Sequence, residues 1–381
     1  MKKHRMEEPV PETLESVEPG SEAKRKRRSA WRKVNRFLNR VFGVLLVTGM
    51  MLGIAGVGVG MILTNKDYPY LREKFVTTME ETRRFKFVSR IFLSEEEYEP
   101  IRAAIAARRK NDTDMATDPS LIHIAANDEP DPALNESGEQ DPGQSAAQPG
   151  ADDYGIVDED GDGYILVPVS GRGYNGYMLI VLDPKRCFVA RGGEGQTINM
   201  IAERNGAIGG INAGAFVDPD GSGSGKEPEG LTIIDGAMIE AARWDRESFA
   251  GFDADGILHV GYFSYADCLN LGIVGGVTFS PPLIINGVPQ NPGPSGVNPR
   301  TAIGQRADGA VLMLVIDGRQ LSSAGATYDD LIEVMLQFGA VNAMNLDGGS
   351  STVMYLNGEL VNQPSSQSGY SRGLPDAFLF R

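Results

Sequence analysis

Two short polar segments, Asn298-Pro299-Arg300-Thr301-Ala302-Ile303-Gly304 and Asn345-Leu346-Asp347-Gly348-Gly349-Ser350-Ser351, place chemically competent side chains at the tips of apolar runs. A third, Asp317-Gly318-Arg319, closes the run Val311–Ile316. Successive N–H groups in a Gly-Gly turn can line an anion pocket, and the guanidiniums of Arg300 and Arg319 are planar donor forks suited to phosphate oxygens. Asp347, beside that positive surface, stays ionised and can serve as nucleophile or base. Read singly, Asp317-Gly318 is a plain β-turn and Gly348-Gly349 a tight bend. The convergence of polar groups on the Asp347 loop favours a site.

Other chemistries have little to work with. The cysteines are Cys187 and Cys268, which can pair in an oxidising compartment or stay as two buried thiols, and the histidines are His4, His123 and His259. A Ser-His-Asp or Cys-His relay rests on His259 alone, within Gly256-Ile257-Leu258-His259-Val260, where a partly buried strand histidine is the better expectation. The chain has no Walker motif and no GxGxxG behind a strand. Scarce histidine also disfavours a metal-dependent phosphodiesterase. Asp158, Asp160 and Asp162, interleaved with Gly161 and Gly163, match the front of a calcium loop, but Val169 stands where the bidentate Glu belongs. A solvated acidic turn opening the first strand is favoured, with weak calcium binding as the alternative.

The elements that must position these residues lie in 153–381. Tyr177–Leu182 reads as a buried strand closed by Asp183-Pro184. Asp235-Gly236, Asp255-Gly256, Asn286-Gly287, Asp308-Gly309 and Asn357-Gly358 read as hairpin turns. Helices are expected at 197–205, 264–271 and 327–338, the last with Thr327 as N-cap and Asp330 in its first turn. The expected fold is α+β, a largely antiparallel, twisted mixed sheet flanked by a few helices.

The net charge of −15 over 381 residues averages unlike parts. Residues 24–40 hold nine Lys and Arg and no acid, whereas 111–160 hold fourteen Asp and Glu and no Lys or Arg. Val41–Leu63 is a run of 23 uncharged residues, a helix about 34 Å long and sufficient to cross a bilayer. The expected organisation is a basic cytoplasmic tail (1–40), a transmembrane helix (41–63), a charged helical stalk (64–110), an acidic disordered linker (111–152) and an extracellular domain (153–381). Gly49-x-x-x-Gly53 and Gly56-x-x-x-Gly60 can seat a helix homodimer. An acidic domain beyond a membrane argues against nucleic acid as partner.

Gly210-Ile211-Asn212-Ala213-Gly214-Ala215-Phe216, the Arg300 segment, Asp317-Gly318-Arg319 and Val341–Ser351 together resemble the phosphodiester glycosidase family over most of residues 165–381. The resemblance implies hydrolysis of a sugar-1-phosphodiester at the sugar carbon, with no cofactor required. It implies phosphate held by Arg300 and the amides of Gly348, Gly349, Ser350 and Ser351, with Arg319 as a weaker candidate. Asp347 would face the anomeric carbon, while Asn212, Thr301 and Asn345 would orient sugar hydroxyls or the aspartate. A second carboxylate is expected for acid/base work, the candidates being Asp317 and Glu229. The chain departs from the family pattern at Ser350, where a third glycine is common, and at Ala213 and Ala215, where a glycine and an aromatic are usual. The architecture suits a bacterial surface protein acting on phosphate-linked envelope or exopolysaccharide glycans. A non-catalytic module binding anionic envelope glycans is the alternative.

Overall fold

Each Asn-Gly or Asp-Gly pair expected to turn a hairpin does so in the computed structural model, which describes residues 53, 56–81, 86–108, 115–124, 154–218, 223–366 and 369–381. At Asn286-Gly287 φ is 56° and 75°, and at Asn357-Gly358 it is 50° and 93°. Two left-handed residues in succession give the turn whose twist matches the flanking strands, and Asn and Gly tolerate that conformation best.

Every strand pairing among the described residues is antiparallel, and the strands form three sheets instead of the single mixed sheet expected. The seven-stranded sheet runs Tyr164–Gly171, Tyr174–Val181, Val311–Ile316, Arg300–Arg306, Ala340–Leu346, Pro282–Ile285, Val288–Pro289. Successive side chains of its central strands alternate between two cores, as period-two geometry requires. Ile303, Val315 and Leu346 face Ile211, Val277 and Phe378 of the other sheets, whereas Ala302, Leu314 and Ile316 share a core with Leu331 and Met335 of the helix Tyr328–Gln337. That helix starts at a capping box between Thr327 and Asp330, and Tyr265–Asn270 starts at one between Ser264 and Asp267.

A second sheet holds Glu359–Leu360, Met354–Leu356, Gly209–Asn212, Asp376–Phe380 and Cys187–Arg191 in that order. The third holds Ala237–Glu240, Thr232–Ile234, Ile273–Thr278, Glu247–Asp253 and Leu258–Phe263. The register of the first sheet matters most for function. Arg300 pairs with Ile316 and Thr301 with Leu346, so one strand begins where both neighbours end. Arg300, the Asp317-Gly318-Arg319 turn and Asp347 therefore share one sheet edge.

The tail 1–40, most of the span 41–63 and most of the linker 111–152 lie outside the described residues. The described residues from Thr64 to Arg381 belong to one compact unit. Residues 56–63 are helical, and among the described residues no helix is long and apolar enough to cross a membrane. The expected helical stalk holds three helices, Pro69–Glu81, Lys86–Phe92 and Glu95–Arg108, with a small core of Val76, Leu93 and Tyr98. Within the expected linker, residues 115–124 are seated on the domain. Thr117 Oγ1 accepts from Val260 N–H at 2.8 Å, and His123 N–H donates to Ala307 O at 2.7 Å.

Both cysteines are buried free thiols, and burial pushes Cys268 up to about 12 and Cys187 also upward. His259 is buried with Nε2 at 2.8 Å from Asp253 Oδ2 in the third sheet, the structural histidine expected. At the acidic turn, Asp158 accepts from Gly161 and Gly163 N–H, both at 3.0 Å, and Asp162 from Tyr164 N–H at 3.3 Å. Among the described residues no cluster of three or more His, Cys, Asp or Glu is arranged to hold a metal ion.

Fully buried Gln305 ties the first sheet to the third: its Oε1 accepts from Leu258 N–H at 2.7 Å, and its Nε2 donates to Gly256 O at 2.8 Å and Gly309 O at 3.0 Å. Gln305→Leu strands one buried donor and two acceptors, at a cost of about 3 kcal/mol. Urea unfolding should show a lower midpoint with an unchanged slope, and an unchanged midpoint would count against this tie.

Candidate active site

Asn212 is the joint of the site. It is 1% exposed, and its Nδ2 donates to the main-chain oxygen of Asp347 at 2.6 Å. Its Oδ1 accepts from Thr301 Oγ1 at 2.8 Å and from Val353 N–H at 3.1 Å. Asp347 N–H in turn donates to Ala213 O at 3.0 Å. The edge of the first sheet is thus bolted to the second on both sides of Asp347. Thr301 and Asn212 are too buried to face a sugar and position the aspartate's main chain instead. Asn345, also 1% exposed, donates from Nδ2 to Ser280 O at 2.7 Å. Its Oδ1 is buried without a partner among the described residues.

The loop after Asp347 is a tight turn held against the Arg300 segment. Gly349 has φ 63° and donates its N–H to Pro299 O at 2.9 Å. A Cβ on Gly348 would lie 2.7 Å from that same oxygen, so the close approach needs glycine. Ser351 N–H donates to Gly348 O at 3.1 Å. Of the four amides expected to line an anion pocket, those of Gly349 and Ser351 are therefore used within the fold. The amides of Gly348 and Ser350 have no partner among the described residues.

The two arginines expected at the phosphate are held differently. Arg300 is 6% exposed, donates from Nε to Ala326 O at 3.1 Å and from Nη2 to Gly296 O at 2.7 Å, and stacks on Tyr328 at 4.4 Å. It clamps two loops. Arg319 is exposed, and its guanidinium makes one side-chain bond, to Asn298 Oδ1 at 3.2 Å, with no carboxylate partner among the described residues. Its Nη2 lies 3.2 Å from where a Gly349 Cβ would sit, so the absent side chain leaves it facing the loop. The packing around it, and then the charge of Arg300, lower its pKa. An accessible cation crowded by a second cation favours an anionic ligand.

Both carboxylates expected to assist Asp347 are held by other groups. Asp317 Oδ1 accepts from Asn362 Nδ2 at 3.0 Å and from Gln363 N–H at 3.1 Å, pinning that segment. Burial pushes its carboxyl up, against those two bonds. Glu229 pairs with Arg243, which also reaches buried Glu247 at 3.4 Å. Glu247 in turn accepts from Leu231 N–H at 2.8 Å and Thr278 Oγ1 at 2.9 Å, so this group anchors a loop.

Three residues escaped the sequence reading. Tyr328 carries the Arg300 guanidinium. Arg372 donates from Nη1 to Ser350 Oγ at 3.0 Å and stacks on Phe216 at 4.5 Å. Ser350, the departure from the family pattern, thus holds a third guanidinium on the loop. Asp376 is fully buried, accepts from Gly214 N–H at 2.6 Å, and carries a carboxyl pushed up to about 7 by burial and by Asp347, against that bond. The signals available were faint: an aromatic at a helix start, a basic residue in a polar loop and an acid before an apolar strand.

A cavity of about 290 Å³ is lined by Ser280, whose carbonyl accepts from Asn345, and by Tyr328, on which Arg300 stacks. Tyr262, Phe279, Pro281 and Tyr328 supply apolar walls, Asn291 and Arg243 polar ones, and Ala215 lies where it meets the Asn212 segment. The size and mixed lining suit a small polar molecule with apolar faces.

Residues 205–381, which contain every member of the polar site, match the family model for phosphodiester glycosidase. The chain is 28% identical over 227 residues to mouse N-acetylglucosamine-1-phosphodiester alpha-N-acetylglucosaminidase, covering 51% of this chain and 42% of that protein. It is 40% identical over 79 residues to a SPbeta prophage-derived uncharacterized protein of Bacillus subtilis (strain 168), 21% of this chain and 12% of that one. The chain therefore spans less than half the length of these relatives. Among solved structures, the zebrafish N-acetylglucosamine-1-phosphodiester alpha-N-acetylglucosaminidase catalytic domain, auto-inhibited by pro-peptide, aligns with TM-score 0.49 at 22% identity, over 57% of this chain and 82% of that one. The domain at residues 205–381 belongs to the phosphodiester glycosidase family.

Proposed function

We infer that this chain is a hydrolase that cleaves the C1–O bond of a sugar-1-phosphodiester, releasing free sugar and a phosphomonoester. The observation that carries the reading is Arg319: an accessible guanidinium, without a carboxylate partner among the described residues, set against the Gly348–Ser351 loop that follows Asp347. A phosphodiester is already a good leaving group, so stabilising its charge matters more than protonating it. Arg319 and the Gly348 and Ser350 amides hold the phosphate, while Arg300 keeps the loops in place. Asp347, its main chain fixed on both sides, meets the anomeric carbon as nucleophile or as base for water. The cavity beside Ala215 receives the sugar, whose apolar face can lie on Tyr262 or Phe279. Among substrates, phosphate-linked glycans of a cell envelope or exopolysaccharide fit a domain carried outside the cytoplasm on the uncharged segment 41–63. That placement rests on the charge pattern of the sequence.

Asp347→Asn should lower turnover of a sugar-phosphodiester surrogate by at least about a thousandfold while leaving the melting temperature within about 2 °C. Wild-type binding without turnover would replace hydrolysis with a glycan-binding role. Arg319→Ala should lower kcat/KM about a hundredfold, and Arg319→Lys should recover only part, since a point charge cannot reproduce the fork. Ser350→Gly releases Arg372 from the loop and should raise KM about fivefold with a smaller change in kcat. An unchanged KM would separate Arg372 from substrate binding.

A further inference from the structure

Asp376 opens the strand Asp376–Phe380, is fully buried, and is bonded through one oxygen to Gly214 N–H at 2.6 Å. Its other oxygen is buried with no hydrogen-bond partner among the described residues. Both oxygens crowd Gly214, where a Cβ would lie 3.0 and 3.2 Å from them and 3.1 Å from Val277 Cβ. Gly214 directly follows Ala213, the residue whose carbonyl anchors Asp347 N–H. A buried carboxylate served by one donor is costly when charged, and a structural role at Gly214 would be met as well by Asn. Its position behind the main chain that holds Asp347 suggests why an acid is used.

We propose that Asp376 is the second carboxylate of the site, a positioning residue that stores a proton behind Gly214 and acts on the reaction through Asp347. The inference rests on the hydrolytic reading above. With Asp376 neutral, no second charge stands behind Asp347 and the site accepts an anionic phosphodiester. Once Asp376 releases its proton to solvent, a second negative charge stands behind Asp347 and opposes that substrate. Asp347 is the charged neighbour whose field reaches it. Its register partner Arg191 lies at the surface, paired with Glu227 at 3.6 Å, and Gly214 and Val277 bring no charge. Because the carboxyl is raised to about 7 from an ordinary 3.8, the folded protein keeps a proton that the unfolded chain has lost between those values. Stability from this group is therefore present at low pH and lost as pH rises through about 7.

Two measurements on the full chain and its Asp376→Asn variant test this. In wild type, kcat/KM for a sugar phosphodiester should fall about tenfold from pH 6 to pH 8, with most of the fall in KM, and the variant's ratio between these pH values should stay near one. A variant that keeps the wild-type limb would overturn the proposal. The melting temperature of wild type relative to the variant should drop by about 5 °C from pH 5 to pH 8. A pH-independent difference would mark Asp376 as merely structural and overturn it too. If wild type turns over no phosphodiester, hydrolysis fails as a reading, while the melting data still decide whether Asp376 stores a proton.

Discussion

The amide of Asn212 is the interaction on which the site depends. Three hydrogen bonds from one buried side chain join the end of a strand in the second sheet to Thr301, Val353 and the carbonyl of Asp347. Without it, the bond from Asp347 N–H to Ala213 O would be left to hold the two sheets together at the residue expected to do chemistry. A buried amide with both ends satisfied is rigid and expensive to perturb. Asp347 is thereby placed by a joint between sheets, although its own loop is only a short turn.

Around that joint the charges are sorted by accessibility. Arg300 lies inside, bonded to backbone carbonyls and stacked on Tyr328. Arg319 faces outward over Gly349, and Arg372 is drawn to the same loop by Ser350. Negative groups lie deeper, with Asp347 half-buried and Asp376 fully so. A cationic rim over a carboxylate floor suits a substrate whose phosphate meets the rim and whose sugar carbon meets the floor.

Much of this was legible in the sequence wherever the cause is local. Asn286-Gly287 and Asn357-Gly358 form hairpins because two consecutive residues accept left-handed φ, and Thr327 and Ser264 cap helices because an acid follows three residues later. The Asp347 loop was visible as polar residues closing an apolar run. What stayed hidden depends on distant partners. Residues 115–124 looked like linker because their composition is polar, yet they are fixed by Val260, Asn286 and Ala307. Alternation in the strands specifies faces but not neighbours, so three sheets were read as one. Asp376 is an acid that follows Pro375 and opens an apolar run, and nothing local marks it for burial; its strand pairs with Gly209–Asn212. Arg300 and Arg319 could not be ranked from spacing, because φ 60° at Arg319 and the reach of Ala326 are tertiary facts.

The central claim is which bond breaks, and isotope-labelled water reports it directly. Hydrolysis of a sugar-1-phosphodiester in ¹⁸O-water by the full chain should place the label on the anomeric hydroxyl of the released sugar and leave the phosphomonoester unlabelled, as C1–O cleavage requires. Label in the phosphate would mean attack at phosphorus and would contradict the role given to Asp347.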